Sequence, residues 1–217
     1  MNHTEIAWDC GSGNGQAAVN LAEIFNKVFA TDASAKQIEH AIIHKNVSYS
    51  VQPSENTNFH DSSFDCVTVA QAIHWFDLKK FYNEVNRVLK PGGLLCVWGY
   101  TWFKISDDID EIVEKTLITS LKDYWAPQTK LLHDGFKDLV LPYKQIVVPS
   151  FEIVVHWDLT QIISYLHSWS PMKSYGEKHG EKGMDLLFEG LIRVWGSKDK
   201  KRKISMPIYM KASKRDV

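Results

Sequence analysis

The segment Asp9-Cys10-Gly11-Ser12-Gly13-Asn14-Gly15 sets three alternating glycines close behind a carboxylate. Glycine tolerates backbone conformations that let a ligand approach the main chain closely, and a helix opening behind such a turn offers unsatisfied N–H groups. By itself the segment could be no more than a flexible turn. A second carboxylate, Asp32, closes the next strand-like run, 17 residues after Gly15. In a doubly wound sheet these two positions are neighbours, and a carboxylate there can accept both hydroxyls of a ribose. The pair favours an adenosine-containing cofactor. The spacing is G-x-G-x-G and not the G-x-G-x-x-G of dinucleotide sites, and G-x-x-x-x-G-K-[ST] is absent, which excludes a P-loop. A carboxylate so near the loop suits a cationic amine better than a pyrophosphate.

These residues need a scaffold, and the first hundred residues alternate strand-like and helix-like patterns. Glu5 to Cys10, Lys27 to Thr31, Val47 to Val51, Cys66 to Ala70 and Leu94 to Trp98 are short apolar runs. Between them lie helical patterns at Gln16 to Asn26, from Ser34 to about His44, and at Leu78 to Leu89. Ser34 with Gln37 forms a capping-box signature and Asp77 is an N-cap. Five strands separated by helices, with no two-residue hairpins, call for parallel pairing through right-handed crossovers. The expected fold is α/β: a Rossmann-like, doubly wound, seven-stranded sheet, mostly parallel with an antiparallel last strand, carrying a mainly helical insertion. Beyond Tyr100 the pattern predicts a helix from about Asp107 to Trp125, a strand at Phe151 to Trp157, helices at about 160–168 and 184–195, and a final strand at Ile204 to Lys211. Pro207 inside that last run removes a ladder donor and marks an edge or a bulge.

The chain has 217 residues, 44% of them hydrophobic, with 25 basic against 26 acidic side chains. That is enough for one domain with an elaboration, and disorder is excluded by composition. A near-neutral charge argues against a nucleic-acid partner. No apolar run reaches the roughly 18 residues needed to span a bilayer, and Met1 to Glu5 is no signal peptide. Three cysteines without C-x-x-C spacing fit a reducing compartment. His40 and His44 share helical ligand spacing, but nothing nearby completes a ligand set, and no metal site is expected. A cytoplasmic protein acting on a small molecule, as a monomer or homodimer, is the expectation.

Four segments together carry a resemblance: AWDCGSGNGQA (Ala7 to Ala17), TDAS (Thr31 to Ser34), DSSFDCVTVAQAIHWFD (Asp61 to Asp77) and FYNEVNRVLKPGGLLCVWGY (Phe81 to Tyr100). In order and spacing they resemble class I S-adenosylmethionine-dependent methyltransferases of the methyltransferase-11 type, nearest the trans-aconitate methyltransferase-like branch. The stretch Trp169 to Glu177 and Trp195-Gly196 resemble that branch more weakly. The resemblance implies a single domain over 1–217, with residues 1–100 binding S-adenosyl-L-methionine and 101–143 and 159–196 forming a substrate lid. It implies that Gly11, Ser12 and Gly13 pack against the methionine part of the cofactor, with Gln16 in the same set, and that Asp9 holds the loop and the bound amine. Asp32 would bind the ribose, Ala33 would sit beside the adenine, Ser54 and Glu55 would contact the ring, and Ala70 and Gln71 would lie along the methionine moiety. His74 and Trp75 would face the acceptor, a small molecule with a carboxylate or other oxygen nucleophile. The same residues leave open a protein that binds S-adenosylmethionine without turnover, and an NAD(P)-dependent oxidoreductase, which the glycine spacing disfavours. Family members usually carry helices before the first strand, and this sequence reads as lacking them.

Overall fold

A computed structural model describes residues 5–217; the reading of Met1 to Thr4 as part of no signal peptide lies outside them. The chain divides into two compact units. The first comprises the residues up to Tyr100, Leu131–Ser150 and Ile208–Val217; the second comprises Thr101–Lys130 and Phe151–Pro207.

In the first unit the elements follow in order as β1 (Ile6–Cys10), α1 (Gln16–Leu21), β2 (Lys27–Asp32), α2 (Ala35–Glu39), β3 (Val47–Val51), β4 (Phe64–Ala70), a 3-10 turn at Ile73–Trp75, α3 (Leu78–Val88) and β5 (Leu89–Tyr100). Strand order is β3-β2-β1-β4-β5, and every one of these pairs is parallel. The order reverses between β1 and β4. Loops leaving the carboxyl ends of these strands therefore open a crevice at that point. The strands are buried on both faces, as crossover helices require: Ala7, Trp8, Asp9 and Cys10 are all fully buried. One face packs Trp8, Phe64, Phe81, Val85 and Val88 together, and the other packs Ala7, Ala18, Val28, Ala30 and Cys66.

Alpha helix α3 shows how sequence becomes position. Asp77 caps it by accepting a hydrogen bond from Lys80 N, and Phe81, Val85 and Val88 recur at helical spacing on its buried face. Its polar residues tie down the loop that follows β3. The Glu84 carboxylate, with its side chain 6% exposed, accepts hydrogen bonds from Thr57 N at 2.8 Å, Thr57 Oγ1 at 2.5 Å and both Nε and Nη2 of Arg87. Arg87 also donates to Phe59 O and Asp61 Oδ1. Burial pushes the Glu84 carboxyl up, but the Arg87 and Thr57 hydrogen bonds outweigh it and hold it below the usual carboxylate range.

The rest of the chain follows as α4 (Asp107–Val113), a π-helical turn at Glu114–Ile118, α5 (Thr119–Leu121), α6 (Lys130–His133), β6 (Lys144–Ile146), β7 (Phe151–Trp157), α7 (Leu159–His167), α8 (Ser170–Trp195) and β8 (Arg202–Lys214). The sheet has eight strands where seven were expected: β8 is antiparallel to β5 on one side and to the short β6 on the other, and β7 pairs with it as well. Residues 131–143, expected in the lid, belong to the first unit instead. The reason is burial: Leu132, Phe136, Leu139 and Leu141 enter the Trp8 core cluster. In the second unit, buried Ile109, Val113, Leu117 and Leu121 recur every four residues through the π-helical turn, and α4 packs against α8. The single expected helix at 107–125 thus ends near Leu121, continued by a 3-10 turn. Gly180, at φ 66°, breaks α8 internally. Pro207 lies one residue beyond the last β5 partner, Ile208, outside the β5–β8 ladder.

Removing the Glu84 carboxylate takes the acceptor from the buried Thr57 donors and from Nε of Arg87, which keeps Phe59 O and Asp61. Glu84→Ala is expected to cost about 3 kcal/mol of folding stability, measured by urea denaturation. A loss under about 1 kcal/mol would show that the network contributes little.

Candidate functional site

A cavity of ≈ 270 Å³ opens at the carboxyl ends of β1, β2 and β3, lined by Gly11, Asp32, Ala33, Ser34, Gln52, Ser54, Glu55, Ala72, Trp75 and Phe76. Its floor is the glycine loop. Gly11 has φ +68°, and an added Cβ would come within 2.5 Å of Ala72 Cβ, so the loop can lie against the 72–76 turn only with glycine there. Asp32 holds the loop: its Oδ2 accepts from Gly13 N at 2.9 Å and its Oδ1 from Ser34 N at 2.8 Å. Ser54 is buried on the wall. Glu55 accepts from Asp77 N at 3.0 Å and so ties the loop after β3 to the start of α3. Trp75, 55% exposed, presents an open aromatic face, with Phe76 beside it.

Asp9 sits beneath the loop and does not line the cavity. Its Oδ1 accepts from Thr68 Oγ1 at 2.9 Å, while Oδ2 is buried with no hydrogen-bond partner. Burial pushes this carboxyl up to about 7; the negative charge of Asp32 adds to the rise, and the Thr68 hydroxyl and Ala18 amide oppose it. His74, in the 3-10 turn, also has a buried, unpartnered Nδ1. Burial, helped by the neighbouring His133, lowers its imidazole to about 4. The ring lies 4.8 Å from that of Trp75.

Similarity to known proteins agrees with this geometry. Residues 8–97 match the model of the methyltransferase domain family of type 11. A protein of Dictyostelium discoideum that carries a methyltransferase name is 32% identical over 218 residues, covering 98% of this chain and 83% of its own. A solved structure from Anaeromyxobacter dehalogenans, named as a type II methyltransferase, superposes with a TM-score of 0.90 at 30% identity, over 99% of this chain and 92% of that one. A yeast protein named as an S-adenosylmethionine-dependent methyltransferase is 25% identical over 62% of this chain and 48% of its own length. The chain belongs to the S-adenosylmethionine-dependent methyltransferases.

Within this methyltransferase the expected site residues fall into two sets. Gly11, Asp32, Ala33, Ser54, Glu55 and Trp75 line one cavity. Asp9, Ser12, Gly13, Gln16, Ala70, Gln71 and His74 surround or support it without lining it. Gln71 is the clearest case of support. At φ 56° its side chain donates from Nε2 to Tyr100 O and accepts at Oε1 from Tyr100 N, both at 3.0 Å, so the amide extends the β4–β5 ladder beyond Ala70. A Cβ at Gly99 would meet that Oε1 at 2.4 Å. Gln16, the first residue of α1, is exposed. Sequence reasoning missed Gln52, Ser34, Ala72 and Phe76 as wall residues. Ser34 was visible only as a helix cap, and Gln52 carries no signal beyond its place after β3; its Oε1 accepts from Asn58 N and shapes the loop. Four cationic side chains of the second unit are engaged locally: Lys104 with Asp110, Lys173 with Glu177, Arg193 with Glu189, and Lys178 over the Tyr124 ring. Among the described residues no cluster of three or more His, Cys, Asp or Glu could hold a metal, and no helix is long and apolar enough to cross a membrane.

The raised Asp9 has a consequence for stability. The unfolded carboxyl releases its proton near its ordinary 3.8, whereas the folded one keeps it to about 7. Stability from this residue is therefore full below about pH 4 and falls as pH rises towards 7, because the folded state retains a proton that the unfolded chain has lost. Asp9→Asn is expected to melt several degrees above the unchanged protein at pH 8, with the gap closing towards pH 4. Parallel melting curves across that range would refute the assignment.

Proposed function

We propose that the chain binds S-adenosyl-L-methionine in the cavity at the ends of β1, β2 and β3 and transfers its methyl group to a carboxylate oxygen of a small molecule. The observation that carries the cofactor reading is Asp32 on the cavity wall. Each of its oxygens takes one backbone N–H and keeps a second acceptor position, which matches the two donors of a ribose. Ala33, Ser54 and Glu55 supply the adjoining wall, and the left-handed Gly11 lets the backbone run alongside the ligand. Bound there, the cofactor supplies a methyl group already activated by its sulfonium. What remains for the protein is orientation and exclusion of water. The Trp75 face suits a cation or an apolar acceptor.

The acceptor reading rests on His74. An imidazole lowered to about 4 is neutral at physiological pH and a weak base, poorly matched to taking a proton from an alcohol. A carboxylate is ionised already and needs no base. Neutral His74 can still offer one hydrogen bond to orient it, which agrees with the trans-aconitate methyltransferase-like branch that the sequence resembles.

Titration of intrinsic tryptophan fluorescence tests the cofactor. Saturable binding of S-adenosylhomocysteine without binding of NAD is expected, and Asp32→Ala should weaken it by about tenfold or more with an unchanged circular dichroism spectrum; equal affinity of that variant would end the ribose assignment. For the acceptor, methyl-labelled S-adenosylmethionine incubated with the protein and a small-molecule extract should give a product whose label mild alkali releases as methanol. The rate should be level from pH 6 to 8, with any acid limb from His74 below about pH 5. A base-stable label excludes a carboxylate acceptor.

A further inference from the structure

Tyr49 lies on β3, outside the cavity and outside every motif that the sequence singles out. Its place is nonetheless unusual. Gly15, the N-cap of α1 and the last residue of the glycine loop, has φ +88°, and a Cβ built on it would fall 2.1 Å from Tyr49 Oη and 2.7 Å from a ring carbon. The phenol ring therefore lies directly against the Gly15 backbone, occupying the volume that any side chain at 15 would need. The hydroxyl then donates to Ile42 O at 2.8 Å, and Ile42 N donates to Asn14 O at 2.9 Å. Tyr49 thus closes a ring: phenol against Gly15, hydroxyl to the Ile42 carbonyl, and the N–H of the same residue back to Asn14, the residue before Gly15. The Tyr49 phenol is pushed up by burial and by the Asp9 charge.

We propose that Tyr49, through the Ile42 backbone, is a positioning residue that fixes residues 13–15 of the glycine loop in their ligand-binding conformation. The inference rests on the cofactor reading given above and deepens it. Two tethers hold the loop from opposite sides. Asp32 Oδ2 takes the Gly13 N–H from the ribose side, and the Tyr49–Ile42 strap takes the Asn14 carbonyl from the far side. Three consecutive residues, two of them glycines at positive φ, have wide conformational freedom when unbound. Holding them in advance removes an ordering cost that binding would otherwise incur. The segment that supplies Ile42 has no regular structure of its own, since α2 ends at Glu39 and β3 begins at Val47. Its peptide groups therefore depend on side chains such as Tyr49 for placement. If the residue only filled space, phenylalanine would serve as well.

Tyr49→Phe keeps the ring and removes only the hydroxyl tether, so the fold should survive, with a melting temperature within about 2 °C of the unchanged protein. Two measurements are made on the full chain. In hydrogen–deuterium exchange without ligand, the Ile42 amide is expected to exchange faster in the variant. In fluorescence titration with S-adenosylhomocysteine, the variant is expected to bind about fivefold more weakly, the loss of roughly one hydrogen bond of pre-organisation. Unchanged exchange at Ile42 overturns the strap. Faster exchange with affinity within twofold shows that the strap exists but does not position the loop, which also overturns the proposal. Failure of the unchanged protein to bind S-adenosylhomocysteine is a different result: it removes the cofactor reading, and the positioning role falls with it.

Discussion

The parallel pairing of β1 with strands on both sides is the constraint on which the site depends. Cys10 is paired with Thr31 of β2, and Asp9 with Thr68 of β4, so the three chains leave the sheet at one level. The turn after β1 then meets Asp32 on one side and the 72–76 turn on the other. Shifting β1 by one residue would exchange its two faces, placing Trp8 against the alanine-rich side and Ala7 in the aromatic core. The size difference between those faces makes the register unique, and the position of the glycine loop follows from it.

Around that register, loops which look flexible in sequence are each held by a polar side chain from elsewhere. Asp32 holds Gly13, Glu84 and Arg87 hold residues 57–61, Glu55 holds the start of α3, and Gln71 joins the ends of β4 and β5. Such bonds contribute modestly as a net term, but leaving one partner buried and unpaired is costly, so they specify one loop conformation among many. Several buried atoms stand outside this pattern, among them Asp9 Oδ2, Ser12 Oγ and His74 Nδ1, and also Arg202 Nε and Ser213 Oγ on β8. Unsatisfied groups of that kind concentrate where a protein binds or reacts, and three of them, on Asp9, Ser12 and His74, lie in or next to the segments that line the cavity.

Much of this was legible in the residues. The alternation of apolar runs and helical patterns to Tyr100 gave the five parallel strands, because burial on both sheet faces leaves continuous apolar runs. The glycine loop and Asp32 announced the cavity because few other residue types serve a close backbone approach beside a hydroxyl-binding carboxylate. Ser54, Glu55 and Trp75 line that cavity beside them. Helix ends were less legible: α1 stops at Leu21 and not at Asn26, where Ala22 and Phe25 instead pack into the core from a loop, and α2 stops at Glu39 and not near His44, followed by exposed Ile42 and Ile43.

The sequence by itself determined the order of strands and helices, the glycine turn, the paired carboxylates and the family, because these depend on residue type at short spacing. Only the tertiary structure decided that residues 131–150 join the first unit, that β8 takes partners on both sides, that Gln71 serves the ladder instead of opening to the cavity, and that Tyr49 lies against Gly15. Each of those depends on which side chain fills a space or meets an unpaired peptide group from tens of residues away. A hydrogen bond or a steric fit at that separation leaves no periodicity in the chain, since it is set by the packed register of the sheet and not by local conformational preference.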